Sequence, residues 1–276
     1  MRAAAIQLNS TQDKERNMST ADRLTRAAAD DGSDLIVLPE KFNVLGEHED
    51  YVAGAEPLDG PTISWARATA RELQVDLIAG SMVEKREGRE KLGNTSVHVG
   101  PDGELKAVYR KIHMFDVAVG GIEYRESATE DPGDEIVLSE AANGIPLGMT
   151  VCYDLRFPEL FRILAIRGAR VVTLPAAFTK VTGRAHWEIL VRARAIENQA
   201  FVVAADQIGT HPPDKESFGG SLIVDPWGEV LARAPDEECF IAANLDFARQ
   251  DEVRDQLPSL ANRVAGAYRW PDEVTA

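Results

Sequence analysis

The sequence predicts an α/β protein, because apolar runs of strand length alternate with amphipathic helical segments along most of the chain. Two hairpin signals, Pro101-Asp102-Gly103 and Asp225-Pro226-Trp227-Gly228, break the alternation and require a sheet of mixed direction. About a dozen strands are too many for one open sheet, so two stacked sheets covered by helices are expected. No repeat, low-complexity stretch or Ser/Gly-rich linker interrupts residues 1–276, which therefore read as a single domain.

Ala3 to Leu8 reads as a buried strand. Asp13 to Asp31 reads as a helix with small or apolar residues at Met18, Ala21, Leu24, Ala27 and Ala28, stopped at Gly32. Leu35 to Leu38 is a second buried strand, ended by Pro39. Pro61 opens a helix to Leu73, carrying Ile63, Trp65, Ala66 and Ala70 inward. Strands follow at Leu77 to Ser81, Thr95 to Val99 and, after a tight turn, Leu105 to Tyr109.

The second half repeats the pattern. Pro146 to Val151 is a strand, Pro158 to Arg167 a helix stopped by Gly168, and Val171 to Leu174 a strand. Ala185 to Gln199 is a helix whose inner face is assigned to Trp187, Leu190, Val191 and Ile196. Phe201 to Ala205 returns to strand, Ser221 to Val224 and Val230 to Ala232 form a hairpin, and Ile241 to Leu245 gives a last strand. From about Phe247 an amphipathic helical tail is expected, acting as an arm or interface extension.

Composition narrows the function. Asp and Glu number 45 against 30 Lys and Arg, a net charge of -15 that repels phosphate backbones and anionic membranes. Neither nucleic acid nor a membrane is an expected partner. No apolar run reaches the roughly 18 residues of a membrane span, and Met1 to Ile6 turns polar too soon for a leader. Two cysteines, Cys152 and Cys239, exclude a disulfide framework; a reducing, cytoplasmic setting follows, in which a thiol stays available for chemistry.

Three reactive side chains leave strands at their carboxyl ends, where α/β sheets place ligands: Glu40, Lys111 and Cys152. Cys152 lies between a strand and the helix opening at Pro158, where the helix dipole favours thiolate and the Tyr153 N–H can meet an oxyanion. Glu40, partly desolvated behind Pro39, is suited to taking a proton from a thiol. Lys111 can stabilise a tetrahedral intermediate. Taken singly, each has a plain alternative: a packed thiol, an ion-paired carboxylate, a solvated lysine. Cys239, beside Glu237 and Glu238, is assigned to structure.

Leu38-Pro39-Glu40, Tyr109-Arg110-Lys111-Ile112-His113-Met114-Phe115-Asp116 and Val151-Cys152-Tyr153-Asp154-Leu155-Arg156-Phe157-Pro158-Glu159 together resemble the Glu, Lys and Cys motifs of the nitrilase superfamily, the carbon-nitrogen hydrolases. The likeness runs from Met1 to about Trp270, through Phe178 to Glu188 and Arg192 to Gln199. It implies a four-layer αββα sandwich that forms homodimers or larger homo-oligomers, with no metal or organic cofactor. It also implies a second active-site glutamate, matched by Glu126, and a cysteine thioester mechanism. The amidase branch containing ω-amidases and deaminated-glutathione amidases is the most similar. Its substrates, small carboxylates with a terminal amide, would need a local cation; Arg156, Arg184 and Lys215 are candidates, with Tyr153, Phe178 and His186 as further substrate contacts. N-carbamoyl hydrolysis and a catalytically silent binding relative remain as alternatives, nitrile hydrolysis less so. Gly120-Gly121 and Thr210 to Asp214 depart from the branch pattern and are expected at the pocket rim.

The sequence contains no Gly-x-Ser-x-Gly elbow, Walker A run or Gly-x-Gly-x-x-Gly. His186-Trp187-Glu188 lacks the paired cysteines that a deaminase zinc site needs.

Overall fold

The computed structural model describes residues 1–268. β1 (Arg2–Gln7) is followed by α1 (Lys14–Asp30), which starts where the Asp13 carboxylate accepts the Arg16 N–H at 3.0 Å. Then come β2 (Leu35–Val37), α2 (His48–Gly54), α3 (Pro61–Leu73), β3 (Asp76–Ile78), β4 (Met82–Glu84), β5 (Gly93–Val99) and β6 (Leu105–Arg110). A hairpin, β7 (Asp116–Val119) and β8 (Ile122–Arg125), leads to β9 (Leu138–Glu140), β10 (Pro146–Met149), α4 (Pro158–Ile166), β11 (Val171–Ala176) and α5 (Lys180–Asn198). The chain ends through β12 (Phe201–Asp206), a second hairpin of β13 (Ile208–His211) and β14 (Lys215–Phe218), β15 (Leu222–Val224), β16 (Val230–Arg233), β17 (Cys239–Asn244) and α6 (Phe247–Gln256).

Two mixed sheets result. One has the order β17-β1-β2-β3-β5-β4, with β6 also paired to β5; the other has the order β16-β15-β12-β11-β10-β9. Every residue of β2, β11 and β12 is buried, as strands covered on both faces must be. Alternate residues explain the stacking. Ala3, Ala5, Leu35 and Val37 meet Val171, Phe201, Val203 and Ile223 between the sheets. Ala4, Ile6 and Ile36 face outward onto Ala21, Leu24 and Ala28 of α1 and Ile63, Ala66 and Ala70 of α3. On the other side Val172, Leu174, Val202 and Ala204 pack against Leu160, Phe161 and Leu164 of α4 and Trp187, Val191 and Ala195 of α5. The expected αββα layering is the observed one.

Several elements differ from expectation. α5 begins at Lys180 rather than Ala185, with Gly183 pressed so closely on Phe218 that a Cβ there would collide with its side chain. Ile196 does not face inward but is 47% exposed. The buried positions near it are Arg194, whose Nε donates to the Leu155 carbonyl at 2.9 Å, and Asn198, whose Nδ2 donates to the Arg194 carbonyl at 3.0 Å. Gly120-Gly121 and Thr210 to Asp214, where the sequence signals no strand, each lie in a hairpin, β7–β8 and β13–β14. These hairpins pair with themselves, outside both sheets, and so lack the apolar alternation of a core strand. α6 buries only Gln250 and Val253, and is fixed by polar contacts more than by an apolar stripe. Arg170 Nε donates to Gln250 Oε1 at 2.7 Å, and Gln250 Nε2 donates back to the Arg170 carbonyl at 2.9 Å. Residues 269–276 of the expected arm lie outside the described residues. Among the described residues no helix is long and apolar enough to cross a membrane.

Candidate active site

Adjacent ends of the two sheets bring the predicted residues together. Glu40 follows β2, and its backbone N–H donates to the Ala176 carbonyl of β11 in the opposite sheet at 3.3 Å. Its Oε2 accepts the Ala177 N–H at 3.0 Å, while Oε1 accepts Lys111 Nζ at 2.9 Å and Asn94 Nδ2 at 2.8 Å. Lys111, one residue past β6 and 1% exposed, also donates to both Glu126 oxygens at 2.9 and 2.7 Å. Glu126 opens a short 3₁₀ turn after β8. Its Oε2 accepts the Phe115 N–H at 2.8 Å and its Oε1 accepts Asn94 Nδ2 at 3.0 Å. One ammonium thus bridges two carboxylates, and one amide braces both.

Cys152 lies against this group, with Glu40, Lys111 and the Ala177 N–H as its polar neighbours. It adopts φ +48, the left-handed region that a non-glycine residue enters only when its surroundings hold it there. The restraint is Asp154. Its Oδ2 accepts the Val151 N–H at 2.8 Å and the Tyr109 hydroxyl at 2.6 Å, while its Oδ1 accepts His113 Nδ1–H at 2.7 Å. His113 in turn stacks on Phe157 at 3.5 Å. The turn is therefore pinned from two sides, and the sulfur is presented at the sheet end.

Charge here is set by the neighbours. Burial works against the Lys111 ammonium, but Glu126 and Glu40 outweigh it and hold Lys111 well above its ordinary value. Burial favours a protonated Glu126, yet Lys111 and Lys41 together hold it well below the carboxylate range. The Cys152 thiol is pushed well above its ordinary value by burial and then by the Glu40 charge. This corrects the expectation of a dipole-favoured thiolate. A 3₁₀ turn, Cys152–Arg156, separates the sulfur from α4, and the nearest strong fields are those of Glu40 and Lys111.

A cavity of about 380 Å³ opens onto the sulfur. Glu40, Lys111, Glu126, Cys152, Tyr153, Arg156, Phe178 and Lys215 all line it; His186 and Arg184 do not. Arg184 points to solvent on the exposed side of α5. Among the described residues His186 reaches the site through Arg156, whose Nη1 donates to His186 Nδ1 at 3.3 Å. Arg156 lies over the Phe178 ring at 5.0 Å from its centroid, and among the described residues it has no carboxylate partner. Lys215 is already paired with Glu47 at 2.7 Å. Sequence reasoning missed Lys41, Asn94, Glu130 and the Tyr109–Asp154 pair. Tyr109 and Asp154 sit inside recognised motifs and Lys41 adjoins Glu40, but Asn94 carries no local signal, since its role depends on β5 lying between Glu40 and Glu126. Among the described residues no three His, Cys, Asp or Glu side chains are grouped as metal ligands would be.

A family model described as carbon-nitrogen hydrolase matches residues 2–255, and the chain belongs to that family, whose members hydrolyse carbon-nitrogen bonds. The chain is 40% identical over 261 residues to the deaminated glutathione amidase of Yersinia enterocolitica, covering 93% of this chain and 91% of that one. It is 38% identical over 268 residues to the omega-amidase NIT2 of Mus musculus, covering 97% and 96% of the two chains. The fold is similar to the crystal structure of the Caenorhabditis elegans NitFhit protein, with a TM-score of 0.89 and 34% identity over 97% of this chain and 66% of that longer one.

Proposed function

We propose that this protein is a thiol amidase that hydrolyses the terminal amide of a small carboxylate, of ω-amide or deaminated-glutathione type, to acid and ammonia. One observation carries the reading: the carboxylate of Glu40, the ammonium of Lys111 and the thiol of Cys152 share one cavity, with Glu126 anchoring the lysine. Because burial keeps the thiol protonated at rest, its proton passes to Glu40 as the sulfur attacks the amide carbon. Lys111 Nζ and the Tyr153 N–H hold the oxyanion. The tetrahedral adduct collapses, Glu40 returns the proton to the leaving nitrogen, and ammonia departs from a Cys152 thioester. Glu40 then takes a proton from water, hydroxide adds to the thioester carbon, and the acid leaves as the sulfur regains its proton. No step calls for a metal or organic cofactor.

Arg156 favours a carboxylate-bearing substrate, because a cavity-lining guanidinium without an anionic partner is a ready counter-ion. The names of the relatives support the same substrate class. A cytoplasmic homodimer fits the reading, with exposed Ile163 and Ile166 of α4 and Ile189 and Ile196 of α5 as the apolar face to be covered. The test is intact-mass measurement after incubation with α-ketoglutaramate, deaminated glutathione and N-carbamoyl amino acids, with ammonia release followed in parallel. An acyl adduct that is lost in Cys152→Ala supports the proposal. Carbon dioxide released with the ammonia would move it to N-carbamoyl hydrolysis, and background activity in both proteins would overturn it.

A further inference from the structure

The Glu40–Lys111–Glu126 group does not end at one ammonium. Lys41, next to Glu40, enters the left-handed region at φ +50 with its N–H donating to Ser81 Oγ at 3.0 Å, and its side chain runs beneath the cavity. Its Nζ donates to Glu130 Oε1 at 2.6 Å, lies 3.6 Å from Glu126 Oε1 and sits 4.1 Å from the centroid of the Tyr51 ring. Lys41 and Glu130 are both buried, and among the described residues Glu130 Oε2 has no hydrogen-bond partner. Stability is a poor explanation for such a pair, because well-packed apolar side chains usually serve as well in a core. A functional reason lies one contact away.

We propose that Lys41 is a positioning residue, whose ammonium supplies the second positive charge that keeps Glu40 and Glu126 ionised together around Lys111. The proposal rests on the thiol-amidase reading, since it is there that Glu40 must begin as a carboxylate. Two buried carboxylates sharing a single ammonium would take up a proton between them, and a protonated carboxyl cannot accept the one on the thiol. The groups facing Glu126 are Lys111 beyond β6, Lys41 and Glu40 beyond β2, Glu130 from its own segment, and the neutral Asn94 of β5. Between Glu126 and Glu130 it is Glu130 that accepts a proton more readily: burial, with the nearby Glu126 charge, pushes it up to about 7. Near neutrality the surplus proton therefore rests on Glu130, away from the sulfur.

The test compares wild type with Lys41→Met and with Lys41→Met/Glu130→Leu, which replaces the pair by apolar side chains. Each is assayed for the pH dependence of Cys152 alkylation by iodoacetamide and, where turnover exists, of kcat and KM. Loss of a cation within a few ångströms raises a carboxylate by about 1 to 3 units, so the acid limb of both profiles moves to higher pH by that amount. On the acid limb, at pH values below both midpoints, kcat falls about tenfold for each unit of displacement, while KM stays within about threefold. The double variant regains the wild-type melting temperature and keeps the displaced limb. A folded double variant with a wild-type limb overturns the proposal, even if Lys41→Met alone fails to fold. Alkylation needs no amide substrate, so its outcome stands if the substrate assignment fails.

Discussion

Replacing Tyr109 by phenylalanine removes a single oxygen from beneath the nucleophile. The hydroxyl is fully buried and donates at 2.6 Å to Asp154 Oδ2, the atom that also holds the Val151 N–H at 2.8 Å. Burial and the Asp154 charge both push the phenol well above its ordinary value, so it acts here as a donor at any working pH. A hydrogen bond to a charged group contributes about 1.5 to 3 kcal/mol, and the ring still fills its site, which keeps any cavity contribution small. At about 2 to 4 °C per kcal/mol for a chain of this size, the melting temperature should fall by about 3 to 12 °C. The Cys152 turn would keep the Val151 and His113 contacts but lose its tightest restraint. Since a 1 Å displacement of a reacting group can cost about 10²-fold, a fall in kcat of about tenfold is expected. Melting followed by circular dichroism, with ammonia release and Cys152 alkylation on the same preparation, reads all three effects. An unchanged melting temperature refutes the hydrogen-bond argument. A lowered one with wild-type kcat and alkylation refutes the claim that Asp154 positions the sulfur.

Three further outcomes follow from the same geometry. Arg156→Met should raise KM for carboxylate-bearing amides about 10- to 100-fold, from about 1.5 to 3 kcal/mol for a charged hydrogen bond, and leave neutral amides nearly untouched; equal effects on both would remove the guanidinium from substrate binding. Glu130 is raised from the ordinary 4.5 to about 7, so over that window the folded chain binds the extra proton and this contribution to stability is lost as pH rises. Glu130→Gln lacks that titration, so its stability relative to wild type should increase between pH 5 and pH 8 in urea melts, and a constant difference would contradict the assignment. Gly80 adopts φ +45 with no room for a Cβ, which would run into the Pro39 carbonyl. Gly80→Ala should therefore displace the Glu40 turn and lower kcat at least about tenfold, checked against an alkylation rate that falls with it.

Much of this was legible in the residues because buried strands and amphipathic helices write their periods directly. β2 and α3 appear where Leu35 to Leu38 and Pro61 to Leu73 foretell them, since an apolar run ended by proline and a proline-started helix leave few alternatives. Glu40, Lys111 and Cys152 were legible as strand-end residues, and Glu126 through resemblance. Elements that do not face the core were not legible: the self-paired rim hairpins have no apolar side to signal, and the seven residues of α2 are too few to show a period. Arg184 misled because charge alone does not reveal which way a helix is turned, and Ile196 misled because its side chain lies on the outer face of α5. Asn94 and Glu130 became visible only once β5 and the turn after β8 stood beside the Glu40 segment.

β1 is an interior member of its sheet, with β2 on one side and β17, nearly 240 positions later, on the other. While the chain is still on the ribosome, the backbone of Arg2–Gln7 has one flank without a partner. A product truncated before Cys239 would keep that flank open, ready to pair with other chains. Nonsense products and C-terminal deletions should therefore precipitate or be degraded rather than persist as partial enzymes.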